Sequence, residues 1–176
     1  MGSKEISEDV GAIYISQNIA YVANSGNGEL KIYDVSNPAN IVELGSYDAP
    51  GSSEEGKSLI LVGSKLYLGR TKGGNHDDHH EFHIIDVVNS ETPQNLGSKD
   101  LAADLNDLRV RDNLAFLGTS DSNKEFQVWN ISDPTNITLW SFFNFPQVAT
   151  GIDYESNLVY VSVRSNDALR IITSSP

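Results

Sequence analysis

A chain that repeats itself every 44 to 49 residues has few folds open to it, and this one does so through four units. The aromatic anchors Tyr21, Tyr67, Phe116 and Tyr160 are spaced by 46, 49 and 44 residues. Around them "NIAYVANSGNGELKIYDVSNPANIVELGSY" (Asn18 to Tyr47) aligns with "NLAFLGTSDSNKEFQVWNISDPTNITLWSFF" (Asn113 to Phe143). A further copy runs from Lys65 to Ser98, and another from Asn157 to Pro176. A period of roughly 40–50 residues belongs to propeller blades and to some helical arrays.

The content of each unit separates those two. Short alternating runs rich in Val, Ile, Tyr and Phe are bounded by Gly, Asn, Asp, Ser and Pro, and no unit holds a long stretch of helical periodicity. The first unit reads as four strands: "AIYIS", "IAYVA", "LKIYDV" and "IVELGSY". A tight turn, "SQN", joins the first two and is matched by "GSK", "RDN" and "ESN". Pro38 and Pro134 follow Asn and Asp in the turn after the third strand and keep that strand from running on. Four such strands per unit predict an all-β fold, a β-propeller of four four-stranded blades. Residues 1–176 form one domain, with units at about 9–51, 57–104, 105–150 and 151–176.

At this point the units resemble LVIVD repeats, a family of bacterial and archaeal cell-surface proteins expected to form β-propellers. The namesake motif stands as "LKIYD" (Leu30 to Asp34), "FHIID" (Phe82 to Asp86), "FQVWN" (Phe126 to Asn130) and "LRIIT" (Leu169 to Thr173). The resemblance covers almost the whole chain and implies the fold. It brings no catalytic signature with it. Asn130 and Thr173 replace the motif aspartate in the last two units. The aspartate therefore reads as a turn cap, not as a ligand each unit must supply.

The two ends complement each other. "MGSKEISEDVGAIYI" aligns without a gap on "LGSKDLAADLNDLRV", Leu96 to Val110. Residues 1–8 are thus expected to act as the closing outer strand beside Leu169 to Thr173, which removes an open sheet edge. Two assemblies satisfy this. One is a small closed ring of four blades. The other is half of a larger propeller completed by a second chain, a homodimer.

Net charge is -12, from 12 Lys+Arg against 24 Asp+Glu. This acidity argues against nucleic acid and against an anionic membrane surface, both of which need concentrated positive charge. There is no cysteine, so disulfides, thiolate catalysis and cysteine zinc sites are excluded. No apolar run approaches the roughly 20 residues that span a bilayer.

All four histidines fall in "GGNHDDHHEFH", Gly73 to His83. From the aromatic anchor to the glutamate opening the third strand is 8 residues in the first unit and 9 in the third, but 14 in the second. The second unit therefore carries an inserted loop at this point. His76, His79 and His80 with Asp77 and Asp78 are the candidate ligands for a divalent metal (Zn, Ni or Ca). The competing reading is a polar, glycine-led hairpin with no fixed ligand. His83 matches Lys31 and Gln127 and belongs to the strand. Asp9, Asp104, Asp107 and Asp153 lie near the blade entries and are candidate carboxylates of a central channel, or ordinary turn residues. Trp129 matches Tyr33 and Ile85, which points to packing between blades. "SEEGKS" contains Gly-Lys-Ser but lacks the upstream glycine of a phosphate-binding loop.

Two function classes follow. One is a non-enzymatic extracellular or cell-surface module (an adhesin, pilus-associated or scaffold domain) that binds a protein or glycan through its loop face. It needs no cofactor, and its signal or anchor would lie outside this chain. The other is a metal-binding propeller with hydrolase or lyase activity at that face or in the channel. The missing catalytic constellation favours the first, since a propeller scaffold alone argues for neither.

Overall fold

The computed structural model describes residues 2–6, 8–26, 28–51, 53–73 and 79–173. Among them the chain is all β, and four antiparallel sheets follow one another along it. The first holds β1 (Val10–Ser16), β2 (Ile19–Asn24), β3 (Leu30–Asp34) and β4 (Val42–Tyr47), in that order. The second holds β5 (Gly56–Val62), β6 (Lys65–Arg70), β7 (Phe82–Asp86) and β8 (Gln94–Lys99). The third holds β9 (Leu105–Arg111), β10 (Leu114–Thr119), β11 (Phe126–Asn130) and β12 (Thr138–Phe143). The fourth is three-stranded among the described residues: β13 (Ala149–Glu155), β14 (Leu158–Val163) and β15 (Leu169–Thr173).

The hairpins are closed as their turn residues dictate. Gln17 and Asn18 sit at φ 49 and 66, and Ser156 and Asn157 at φ 50 and 66, between strands joined by two residues. Paired left-handed residues are what a two-residue hairpin needs to match strand twist. After the third strand the motif residue caps the turn. The side-chain oxygens of Asp34, Asp86 and Asn130 accept the amides of Ser36, Val88 and Ser132 at 2.8, 2.9 and 3.0 Å. The aspartate is a turn cap, and asparagine serves equally well. The ladder between third and fourth strands shifts register at Ile32/Tyr33, Ile84/Ile85 and Val128/Trp129, so a bulge recurs in each complete blade. Bulges of this kind increase local twist.

A buried glutamate staples each complete blade. Glu29, Glu81 and Glu125 stand just before the third strand, and each accepts the amide twenty residues further on: Ala49 at 3.0 Å, Leu101 at 2.7 Å and Phe145 at 2.7 Å. The blade's exit is thereby tied to the entry of its third strand. Ala168 occupies this position in the fourth unit.

Blades pack face to face. Tyr21, Ala23, Leu30 and Ile32 of the first meet Leu66, Leu68, Ile85 and Val87 of the second. Tyr67, Phe82 and Ile84 of the second meet Leu108, Leu117 and Trp129 of the third. Phe116 and Phe126 of the third meet Ile152, Val159 and Val161 of the fourth. The innermost strands β1, β5, β9 and β13 lie side by side in sequence, but no comparable packing joins β13 to β1. The ring is open. Residues 2–6 are not paired with β15 as a closing strand within the chain; Ile6 instead packs against Ala20, Val22 and Tyr33 of the first blade. Of the two assemblies open to the sequence, the described chain has the form of an arc.

Candidate functional site

The polar centre of the molecule is built around Arg70, the last residue of β6. The same position holds Asn24 in the first blade and Thr119 in the third, where short side chains bond the neighbouring loop. In the second blade the position carries the longer Arg70, which is completely buried. Its NH2 meets Glu29 Oε1 at 2.6 Å and Glu54 Oε2 at 3.5 Å, and it donates to the Pro50 carbonyl at 3.1 Å. Its NH1 donates to the carbonyls of Pro50 and His80 at 3.1 and 3.0 Å. One guanidinium thus binds the first blade, the link between blades and the far end of the histidine loop.

The carboxylates differ. Burial raises Glu29 above the ordinary carboxylate range, against the opposing Ala49 amide and the Arg70 charge. Burial also pushes Glu54 up, but the Ser53 amide and the charges of His79 and Arg70 outweigh it and hold Glu54 low. Glu54 Oε1 in turn pairs with His79 Nδ1 at 2.6 Å. A Cβ at Gly73 would collide with the Glu54 side chain, as would one at Gly51. The glycine that opens the histidine stretch is therefore a close-approach residue, not merely a flexible one.

His83 lies on β7 and is buried, as its alignment with Lys31 and Gln127 implies. Desolvation first, then the Arg70 charge, push its pKa down to about 3. The ring is neutral. Nε2 lies 2.9 Å from His80 O and 3.2 Å from Arg70 NH1, and Nδ1 lies 3.2 Å from the Tyr47 hydroxyl; a proton on Nε2 serves the carbonyl, whereas one on Nδ1 leaves Nε2 to accept from Arg70. Burial raises Tyr47 itself to about 12. His80 Nδ1 and Ser98 Oγ are 2.6 Å apart. The loop's return limb is therefore fixed at three histidines, each by a different partner. His76, Asp77 and Asp78 lie outside the described residues, and no group of three or more metal-capable side chains occurs among the described ones.

The four aspartates occupy unlike positions. Asp9 and Asp104 sit at equivalent blade entries, where their amides donate to Ser25 and Ser120 hydroxyls at 3.1 and 3.0 Å. Asp104 also accepts the Lys72 amide at 2.8 Å and pairs with Lys57 at 3.4 Å. Asp107 accepts the Ile152 amide at 2.8 Å, and Asp107 and Asp153 share Arg109 at 3.1 and 3.5 Å. Each of the last three is thus engaged with a backbone amide or a cation. Beside Asp104 a depression of about 420 Å³ opens between the second and third blades, lined by Lys72, Ala102, Ser120, Asp121 and Ser122. Trp129 is buried between blades with its indole N–H donated to Gln127 at 2.9 Å.

The sequence reading missed Arg70, Glu29 and Glu54. A signal was present: a cation follows the run Leu-Tyr-Leu-Gly at the end of β6, at a position that is short and neutral in two other units.

The architecture places the chain among β-propellers, and comparison with solved structures agrees. It is similar to the computationally designed Ika4 protein at 17% identity, covering 98% of this chain and 99% of that one, with a TM-score of 0.72. It is similar to the Cps50 (Swd1) β-propeller domain of Myceliophteria thermophila at 10% identity, covering 94% and 53%, with a TM-score of 0.71. BamB from Moraxella catarrhalis matches at 14% identity, covering 94% and 44%, with a TM-score of 0.62. The chain spans all of the first and about half of the other two. Within that class, residues 8–49 match the LVIVD repeat family model, so the chain carries an LVIVD repeat, and the match spans the first blade. None of the curated proteins matches the chain.

Proposed function

We propose that this propeller is a non-enzymatic interaction module of a cell surface, binding a polar partner, protein or glycan, through the face that carries the histidine loop. The observation that supports this reading is how the titratable groups beneath that face are used. Arg70, Glu29, Glu54 and His83 are turned inward and spent on one another and on backbone carbonyls. They fix a platform, and none of these four side chains is presented at an opening. Beside them the shallow depression of Lys72, Ser120, Asp121 and Ser122 offers hydroxyls, a carboxylate and a cation, which suit hydroxyl-rich or charged ligands. The resemblance to LVIVD repeats is what suggests a surface setting, and the net charge of -12 suits a basic partner over a nucleic acid.

Two measurements test this. Cells of the source organism are labelled with a membrane-impermeant biotin reagent; labelling of the intact protein is expected, and a wholly protected protein overturns the surface assignment. A panel of glycans and cationic peptides is then titrated against the wild type and against Ser122→Trp, which fills the depression. Binding lost in the variant supports the site, and binding unchanged removes it.

A further inference from the structure

Two faces of this arc expose side chains whose equivalents inside the arc are buried or half-buried. On the fourth blade, Leu169 and Ile171 are 64% and 55% exposed. Their equivalents Leu30 and Ile32, and Phe82 and Ile84, are fully buried against the next blade. On the first blade, Ile13 and Ile15 are 62% and 53% exposed. Ile13 corresponds to Leu108 and Ile152, which are buried against the blade before them. One uncovered face thus has the chemistry of a leading face and the other that of a trailing face. The chain joins such faces three times within itself.

Residues 2–6 show what belongs between them. Gly97, in the outer strand of the second blade, runs so close over the Pro134 carbonyl of the third that a Cβ would clash, and Gly45 runs likewise over Ser90. Ser90, Pro38 and Pro134 are equivalent turn positions. Gly2 makes the same approach to Pro38. Ile6 packs on Ala20, Val22 and Tyr33 as Leu101 packs with Ala115, Leu117 and Trp129. Residues 2–6 are therefore seated as the outer strand of a blade that precedes the first, and the other strands of that blade are not beside them.

We infer that two copies of this chain close into one ring, residues 2–6 of each serving as the outer strand of the other's fourth blade. The register follows from the complete blades. Leu30 pairs with Tyr47, Lys31 with Ser46 and Ile32 with Gly45, and the second and third blades repeat this pairing. Carried over, Leu169 faces Lys4, Arg170 faces Ser3 and Ile171 faces Gly2. Two copies suffice because four blades cover about half of the Cps50 propeller domain, so the arc has a half-ring's extent. Each contact joins a leading face to a trailing face, and a two-fold rotation repeats it and closes the assembly. The new seam lacks one element of the others: Ala168 stands where a glutamate would staple the Ile6 amide.

The chain has no cysteine, so introduced thiols report the contact alone. Directly opposed residues of an antiparallel pair have Cα atoms about 4.5–5.5 Å apart, within disulfide reach. Ser3→Cys and Arg170→Cys are made as single variants, mixed and oxidised. A covalent dimer linking the two variants, and a wild-type mass of twice 19.2 kDa by light scattering, are expected. Leu169→Glu with Ile171→Glu should return the mass to one chain with the strand signal in circular dichroism intact. A double Ser3→Cys, Arg170→Cys chain that links only to itself shows closure within one chain and overturns the proposal. A monomer without crosslinking, a dimer without the Ser3–Arg170 link, or an open polymer overturns it equally. None of these outcomes bears on the partner or the location proposed above.

Discussion

At His83 an imidazole sits where the other complete blades place Lys31 and Gln127. Lys31 reaches an ion pair with Glu8 at 3.0 Å, and Gln127 bonds Trp129 and the Lys124 carbonyl. His83 has neither exit, because Arg70 fills the space beside it. Its pKa is therefore depressed to about 3 from 6.5. The sign follows from linkage: the unfolded chain takes up a proton below pH 6.5, and the folded chain does not until about 3. His83 thus contributes stability that is present above pH 6.5 and is lost as pH falls through that window. Glu81 works the other way. Burial raises it to about 6 from 4.5, so its contribution is present below 4.5 and is lost as pH rises through 6. Urea unfolding followed from pH 7 to 5 should show the wild type losing stability relative to His83→Gln, the third blade's own solution. The difference should reach about 1–2 kcal/mol, given about 1.4 kcal/mol per proton per pH unit. Parallel profiles would mean that the ring is protonated in the folded state. Arg70→Met makes a harsher test. It leaves Glu29 without its cation and Glu54 with His79 alone, and removing one partner of such a buried pair costs about 3–5 kcal/mol. Arg70→Met with Glu29→Gln and Glu54→Gln should recover much of that loss in the same unfolding measurement.

At the scale of the element, the strands were legible because their chemistry is local: alternation, β-branched residues and turn residues all point the same way. The turn-cap role of the motif aspartate was legible for the same reason, since Asn130 can do what Asp34 does. The glutamate staple was not legible, because its partner lies twenty residues away on another strand's exit. Glu125→Ala should therefore destabilise by about 1.5–3 kcal/mol, the range for a hydrogen bond to a charged group, in a melt read by circular dichroism. Glu91→Ala, on an exposed turn, is the control. The histidine loop was half legible. Its insertion shows in the spacing, but the anchoring of His79 on Glu54 and His80 on Ser98 does not, because both partners belong to distant segments. Replacing His76, His79 and His80 with alanine should consequently cost a little stability as well as any zinc uptake. Calorimetric zinc titration separates the two roles. A stoichiometric, micromolar or tighter site lost in the triple variant assigns the loop to a metal; heat of dilution alone assigns it to anchoring.

For the whole molecule, the repeat revealed the number of blades but not the curvature of the arc, which depends on how far each face turns its neighbour. The gapless match of residues 1–8 to the second blade's outer strand was legible; on which blade that segment rests was not, since alignment carries no partner. The open arc has a thermodynamic consequence. Leu169 and Ile171 on one face and Ile13 and Ile15 on the other stand in water in a single chain. Each large aliphatic side chain fully buried stabilises by about 1.5–3 kcal/mol. If association covers these faces, the folded state is favoured by mass action, and the melting temperature depends on protein concentration. Calorimetric scans at chain concentrations a hundredfold apart should show a higher melting temperature for the concentrated sample. The shift should vanish in the Leu169→Glu, Ile171→Glu variant, which would melt at one lower temperature throughout. A wild-type melting temperature independent of concentration, from a protein that scatters as one chain, would mean that the two faces remain solvated and that the repeat tolerates at its ends what it never leaves open inside.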